Sequence, residues 1–538
     1  MSNSKLTASQ IYEKILDLRT PDEQRRTNAI QLIPTIAISL GTARTTDELI
    51  PYIVESAIFT EDQWIQVLNV FGKIDFSKFT NKQINTVFYN ICSICEIESR
   101  SIREAFVKCF FAITKQLKED IINGILKDFI STMIESDSPS IRAAAISIYA
   151  QSISLFSTQV KSSLFNVQID KLKEDPAINV RQSYAAAASL MIPFLKGTIA
   201  TNLYSSVLSL ASDPSYSVCC EVPSFLIEYM KTNNNAEKIF EVGEKLLKSD
   251  NWRVRCIYIA SLKDIFNNQK VDFDSIFNII NNASTDKDDE VVTAAAEALS
   301  LLINHFDNSE PNAKKVESLV TTFLNSTCPH VKTSVAQILP DFVGIISTDF
   351  VCKALLKLTK DPSQEVKITS IESLKSTKLP DDAKLNCLSQ ASETTEWREK
   401  ESIVKLLPEL SRESNNDYED IVNKMLKDDA YAVRKSILDK LPILAARKGS
   451  QIPQKVMGTI IEMSNGDDYQ LRQTAVLAII KLNKFDEEGM KIIEKASKDP
   501  VSNVRYLLSE MIPKTEKFSA IINTLKNDPD EDVRSLFN

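Results

Sequence analysis

The sequence predicts an all-α fold: a curved, right-handed α-solenoid of about fifteen antiparallel helix pairs. Three observations predict it. A short phrase keeps returning, Asp-Pro followed by three residues and then Val-Arg or Val-Lys, at Asp361-Pro362 to Val366-Lys367, Asp499-Pro500 to Val504-Arg505 and Asp528-Pro529 to Val533-Arg534. Amphipathic segments flank the copies, with apolar residues at helical spacing such as Val433, Ile437, Leu438, Leu441 and Leu444. Only 10 glycines in 538 residues leave little material for the turns of a β-rich fold.

The chemistry of the phrase places it in a turn within a helical hairpin. Asp is expected to offer a side-chain oxygen to the open N–H groups at a helix start, and Pro to sit in the first helical turn, where its missing N–H costs nothing. The Val then falls on the buried face. The basic residue comes one position later, near the rim, within reach of an acidic loop residue of the neighbouring repeat. Looser copies run from Asp175-Pro176 to Val180-Arg181, Asp250 to Val254-Arg255, Asp429 to Val433-Arg434 and Asp467 to Leu471-Arg472.

Taking the basic residue or its equivalent as an anchor gives Arg26, Ile65, Arg103, Arg142, Arg181, Cys219, Arg255, Thr293, Lys332, Lys367, Lys400, Arg434, Arg472, Arg505 and Arg534, spaced 29 to 39 residues apart. Two-helix repeats of this length are HEAT repeats, stacked side by side. One repeat cannot bury both of its faces, so the core should run continuously along the array.

Residues 1–20 form the first helix of repeat one, Pro21 to Arg26 its turn, and Asn28 to Ile33 open its second helix. Residues 41–51 read as a loop to repeat two, whose acidic turn is Thr60 to Gln63 and includes Glu61 and Asp62. Repeats three to five turn at Glu98–Ile102, Asp137–Ile141 and Asp175–Val180. Repeat six has Cys219 where a basic residue is expected, and repeat seven restores it as Asp250-Asn251-Trp252-Arg253-Val254-Arg255. The turn Glu396-Trp397-Arg398-Glu399-Lys400 of repeat eleven is similar, and Tyr431 and Tyr469 hold comparable positions in repeats twelve and thirteen. A turn Trp is either a local packing plug or an exposed anchor. Large aromatics and Arg dominate interface energetics, so aromatics at one edge of three successive repeats favour an interaction ridge.

Composition narrows the function. A net charge of −9 and a pI of about 5.2 suit no nucleic-acid phosphate backbone, which calls for a clustered basic face. Met1 to Lys5 lack the apolar run of a signal peptide, and no apolar stretch approaches the roughly 18 residues of a membrane span. The expectation is a soluble cytoplasmic protein, also found in the nucleus, with no membrane partner. Nine scattered cysteines show no disulfide framework, and the lone Cys92-x-x-Cys95 reads as buried cysteines in a helix. His305 and His330 have no spaced catalytic or metal-binding companions. There is no phosphate-binding glycine loop, dinucleotide fingerprint or zinc-protease motif. No catalytic residue, metal or cofactor is expected.

Several stretches together resemble the 65 kDa scaffolding (A-type) regulatory subunits of protein phosphatase 2A, over nearly the whole chain. They are Ile36 to Gly41 with Arg44-Thr45 and Glu48 to Pro51, Trp252 to Arg255, Trp397-Arg398, Tyr431 to Arg434, Met463-Ser464 with Tyr469, and Asp499 to Arg505. The resemblance implies fifteen HEAT repeats in a non-catalytic adaptor that forms heterodimers and heterotrimers. By matched position, Trp397, Arg398, Tyr431, Tyr469, Val501 and Asn503 would face the phosphatase catalytic subunit. Glu61, Asp62, Arg181, Trp252 and Arg253 would face an exchangeable regulatory B-type subunit. The implied division is 1–310 for the regulatory-subunit end, 311–380 connecting, and 381–538 for the catalytic-subunit end. Departures from the family pattern are Ile178-Asn179-Val180-Arg181-Gln182, Pro139, Glu399-Lys400 after the Trp-Arg pair, and a short last helix before Asn538. The alternative is another HEAT adaptor such as a nuclear transport receptor, which acidic residues along the concave face would mark.

Overall fold

The computed structural model describes residues 7–56, 58–97, 99–267, 269–307, 309–410, 418–447 and 452–537. Met1 to Lys5, Glu98 and Asn538, on which sequence expectations fall, lie outside the described residues. Among the described residues the regular structure is helical, and the one backbone bridge is an isolated contact between Val343 and Ile346. The chain is an all-α solenoid.

Among the described residues, fifteen second helices begin at Glu23, Glu61, Arg100, Pro139, Ile178, Tyr216, Trp252, Asp289, Pro329, Gln364, Trp397, Tyr431, Tyr469, Ser502 and Glu531. The anchor is the fourth residue of every one. This register corrects two expected anchors: Trp64 replaces Ile65, and Val292 replaces Thr293. Trp64 and Val292 are both buried, whereas the Thr293 hydroxyl turns back to the Asp289 carbonyl of its own helix. The residue before the anchor packs inward as expected: Val180, Val254, Val331, Val366, Val433, Val504 and Val533 are fully buried.

Contacts divide the chain into two compact units, Met1–Val271 and Asp272–Asn538. Within each, second helices of adjacent repeats pack on one another. Pro139–Ser152 packs on Ile178–Met191 in the first unit, and Trp397–Leu410 on Tyr431–Arg447 in the second. The first unit is also joined through its core rings, where Phe110 and Phe129 stack at 5.2 Å between repeats three and four.

Two local expectations change. Residues 41–51 are helical, not a loop: Gly41 at φ 79° breaks the chain between repeats, and helix resumes over Thr45–Leu49 and Ile50–Val54. Thr45 and Thr46 satisfy their buried hydroxyls on the carbonyls of Ala37 and Thr42, and Arg44 pairs with Glu48 one turn on. The phrase Asp does not cap the helix either. Asp175 and Asp499 accept the N–H of Ala177 and Val501, two residues on, at 2.9 Å, so they close a tight turn. Pro176 and Pro500 therefore precede the helix, whose own N-cap has no side-chain bond.

That turn sets up the main link between repeats. Arg142 donates Nε and Nη2 to the two carboxylate oxygens of Asp175 at 2.8 and 2.9 Å. Its Nη1 donates to the carbonyls of Ser136 and Asp137 in its own turn at 2.9 and 3.0 Å. Arg181 to Asp213, Arg472 to Asp499 and Arg505 to Asp528 repeat the fork. Lys332 to Asp361 and Lys400 to Asp428 make single bonds at 2.7 and 2.5 Å. The acceptor stands six residues before the next anchor. Repeat twelve therefore uses Asp428, not Asp429, and repeats seven and thirteen have Ser249 and Gly466 there, not Asp250 and Asp467.

In three repeats where that acceptor is missing, another residue near the turn supplies one. Arg434 Nη2 donates to Gln470 Oε1 at 3.1 Å, and Arg26 Nε to Gln63 Oε1 at 2.8 Å. Repeat eleven has Thr394 at the acceptor position, and Glu399 takes the place of the buried Val. Glu399 is 1% exposed, accepts from the Thr394 hydroxyl at 2.5 Å and pairs with Lys367 at 3.1 Å. The departure Glu399-Lys400 is thus a relocated carboxylate.

Burial pushes the carboxyls of Asp175, Asp499 and Asp528 up, but the arginine forks and turn N–H groups outweigh it and hold all three below the ordinary range. Such groups stabilise the fold fully above the unfolded value of about 3.9, and lose that contribution as pH falls through the lowered folded values. The urea midpoint should therefore fall between roughly pH 4 and pH 2, and less so in Arg472→Ala. That substitution strands Asp499 without its counter-ion and should cost about 3–5 kcal/mol, seen as faster amide exchange in repeats thirteen and fourteen. Glu399→Val should likewise destabilise by removing the partner of Lys367. Adding Thr394→Asp should recover the loss in thermal melts, because it restores the usual acceptor.

Candidate functional site

The constant helix register also decides what lies at the turn edge. Trp252, Trp397, Tyr431 and Tyr469 are each the first residue of a second helix, three before the ladder anchor. In the second unit this puts aromatics at one register on three successive repeats: Trp397 is 37% exposed, Tyr431 60%, and Tyr469 half-buried. Arg398 is exposed and holds its guanidinium 4.4 Å from the centre of the Trp397 ring. The ring and cation form one amphipathic unit, an exposed arrangement worth about 0.5–1 kcal/mol. Val501 is the half-buried residue before helix Ser502–Met511, and Asn503 its exposed second residue, whose carbonyl accepts from Gln473 at 2.9 Å. All six residues expected to contact a catalytic subunit therefore lie at the turn end of repeats eleven to fourteen.

The first unit repeats the pattern. Trp252 is half-buried and carries Arg253 4.6 Å from its ring centre. Two neighbours at the same register went unnoticed in the sequence: Ile178 and Tyr216, each 50% exposed. Counting three residues back from Arg181 and Cys219 would have found them. Glu61 and Asp62 open helix Glu61–Phe71 and are exposed, with Glu61 accepting from the Ser99 hydroxyl at 2.6 Å. Arg181 is placed differently from the other four. It is half-buried in the ladder, with Nη1 on the Asp175 and Pro176 carbonyls and its fork on Asp213.

Beside Tyr216 the ladder link to repeat seven is interrupted at both donor and acceptor, while the Arg181–Asp213 link before it is intact. Cys219 donates its thiol to the Leu210 and Asp213 carbonyls of its own repeat, and the matching acceptor is Ser249. A cavity of about 440 Å³ opens there, lined by Pro214, Tyr216, Cys219, Lys248 and Asp250 among others. Burial pushes the Cys219 thiol up to about 11 and Cys92 to about 12, so neither is a thiolate nucleophile at neutral pH. Cys95 is fully buried. His305 places Nδ1 2.9 Å from the Leu301 carbonyl, and His330 is exposed in the first turn of Pro329–Ile338. Among the described residues no group of three or more His, Cys, Asp or Glu is placed to hold a metal, and no helix is long and apolar enough to cross a membrane.

Exposure separates anchor from packing plug. Tyr431→Ala should change the thermal midpoint little, within the roughly 0.5 kcal/mol typical of surface substitutions. Trp252→Ala, at a half-buried ring, should lower it measurably.

No family model matches the chain. It is 30% identical over 121 residues to the alpha isoform of the 65 kDa A-type regulatory subunit of serine/threonine-protein phosphatase 2A from Arabidopsis thaliana, which is 21% of this chain and 19% of that one. It is 23% identical over 209 residues to the protein phosphatase 2A scaffold subunit of Dictyostelium discoideum, covering 37% and 32%. The matched stretches thus span a third or less of these relatives. Among solved structures, Kap121p aligns over 98% of this chain and 56% of its own with a TM-score of 0.57 and 14% identity. Yeast importin-beta (Kap95p) aligns over 98% and 74% with a TM-score of 0.51 and 15% identity. The chain is a HEAT-repeat solenoid.

Proposed function

We propose that this chain is a non-catalytic scaffold that binds protein partners through the turn edge of its second helices. On the finer reading, a protein phosphatase 2A-type catalytic subunit docks on Trp397, Arg398, Tyr431, Tyr469, Val501 and Asn503. An exchangeable regulatory subunit docks on Glu61, Asp62, Trp252 and Arg253, with Arg181 holding the turn beneath. The single observation that carries the proposal is the run of aromatics at one register in repeats eleven to thirteen, two of them exposed and the third half-buried. Ring-and-guanidinium pairs of this kind bury large area at low entropic cost. Both phosphatase scaffold relatives support the identity of the partner. The mechanism is apposition: two partners held on one chain meet at high effective concentration. The transport-receptor alternative has the fold likeness to karyopherins in its favour, while the aromatic edge favours the phosphatase scaffold.

Trp397→Ala combined with Tyr431→Ala should weaken binding of a protein phosphatase 2A catalytic subunit by about 2–4 kcal/mol in calorimetry, with an unchanged helical signal. Trp252→Ala should leave that affinity intact. Wild-type binding that neither substitution alters would remove the ridge from the phosphatase reading, and no binding by the wild type would move the transport-type adaptor to first place.

A further inference from the structure

Four ladder positions are interrupted among the described residues, and three are neutral on both sides: Trp64 is matched with Ile97, Cys219 with Ser249, and Val292 with Ser326. The fourth has lost only its acceptor. Arg103 is the anchor of repeat three, but the acceptor position of repeat four is Ser136. Its hydroxyl accepts the Ser138 N–H at 3.2 Å, as the aspartates do in their turns, but carries no charge. Arg103 is half-buried, and among the described residues nothing accepts a hydrogen bond from its guanidinium or pairs with it. A partly desolvated cation without a partner is costly to keep. The other interruptions avoid that cost and this one does not.

Arg103 lines a cavity of about 300 Å³ that runs over the second helices of repeats three to six within the first unit. Its floor is made of small residues, Ser147, Ala186 and Ala187, and Leu190 beside them is 47% exposed. Two carboxylates lie on the rim, and both are engaged: Glu104 accepts from Arg100 Nε, and Glu221 from Gln182 Nε2, each at 2.9 Å. Arg103 and the exposed Lys108 have no hydrogen-bond or ion-pair partner among the described residues, and the three lining cations, Arg100, Arg103 and Lys108, outnumber the two carboxylates.

We propose that this cavity docks an acidic peptide segment of a partner protein, with one Asp or Glu carboxylate taking the place of the missing ladder aspartate on Arg103. The equivalent arginines at 142, 181, 472 and 505 each hold a carboxylate by two parallel N–H bonds, so the receptor chemistry is already used in this molecule. A phosphate dianion fits less well, because Glu104 and Glu221 repel added charge more strongly than they repel a monoanion. The open run over four repeats suits an extended peptide, not a free small acid. The site runs from the turn edge, where Arg100 and Asn179 open their helices, along the helix face to Leu190, and it shares no residue with the docking positions proposed above.

A fluorescein-labelled Glu-Gly repeat peptide, titrated into the full chain by anisotropy, tests the proposal against a Gln-Gly peptide of the same length. Arg103→Gln should weaken binding by about tenfold to a hundredfold, as expected for a hydrogen bond to a charged group. Ser136→Asp is the sharper variant. It supplies the ladder carboxylate internally, so it should raise the thermal midpoint and weaken peptide binding together. Acetate should compete at least as well as inorganic phosphate. Failure of the wild type to bind, equal binding of the Gln-Gly peptide, unchanged binding in Ser136→Asp, or phosphate competing where acetate does not would each overturn the proposal.

Discussion

The buried guanidinium-to-carboxylate fork between consecutive turns is the constraint on which the rest of this solenoid depends. Apolar faces glue neighbouring helices together but slide easily, because burial is non-directional. Arg142 on Asp175, or Arg472 on Asp499, fixes both the spacing and the rotation of one hairpin against the next through two parallel bonds. The same arginine also ties down two carbonyls of its own turn, so one side chain sets the geometry within and between repeats. A charge in that position without its partner is expensive. Most lost aspartates are accordingly compensated, as by Glu399 and Gln470, or matched by the loss of the cation, as at Cys219 and Val292, with Arg103 the exception.

The ladder also prepares the interaction edge. Residues three apart on a helix are neighbours, so a ring at the first helical position lies over the stem of the anchor at the fourth. Tyr431 sits 5.9 Å from the Arg434 guanidinium in this way. The interior end of that arrangement is rigid and the exposed end is free for a partner, a division that favours tight binding without reorganisation of the turn. Because the register is constant, a series of unrelated loops becomes an ordered row of side chains.

Much of this was legible in one sequence. The repeat count, the buried Val and the basic anchor all follow from a periodicity that any linear inspection reaches. The aromatic positions follow too, because a first helical residue stays three before its anchor whatever the loop before it does. Anchors without a basic residue were harder to place. Trp64 and Val292 were each misread by one position, since an apolar residue leaves nothing to distinguish it from its neighbour. Residues 41–51 looked like a loop because Gly, Thr and Pro suggest one, yet buried threonines bonding to helix carbonyls keep the stretch helical.

By itself, then, the sequence determined the all-α class, the fifteen-fold repetition, and the register that separates a buried anchor from an exposed ring. Those are properties of residues near one another in the chain. Only the tertiary structure decided which acceptor meets each anchor, that Glu399 stands in for an aspartate, and that, among the described residues, Arg103 is left without a ladder acceptor beside a cavity. The ladder contacts join residues 23 to 37 positions apart. A shift of one residue or one methylene there changes the partner, and periodicity does not measure that distance.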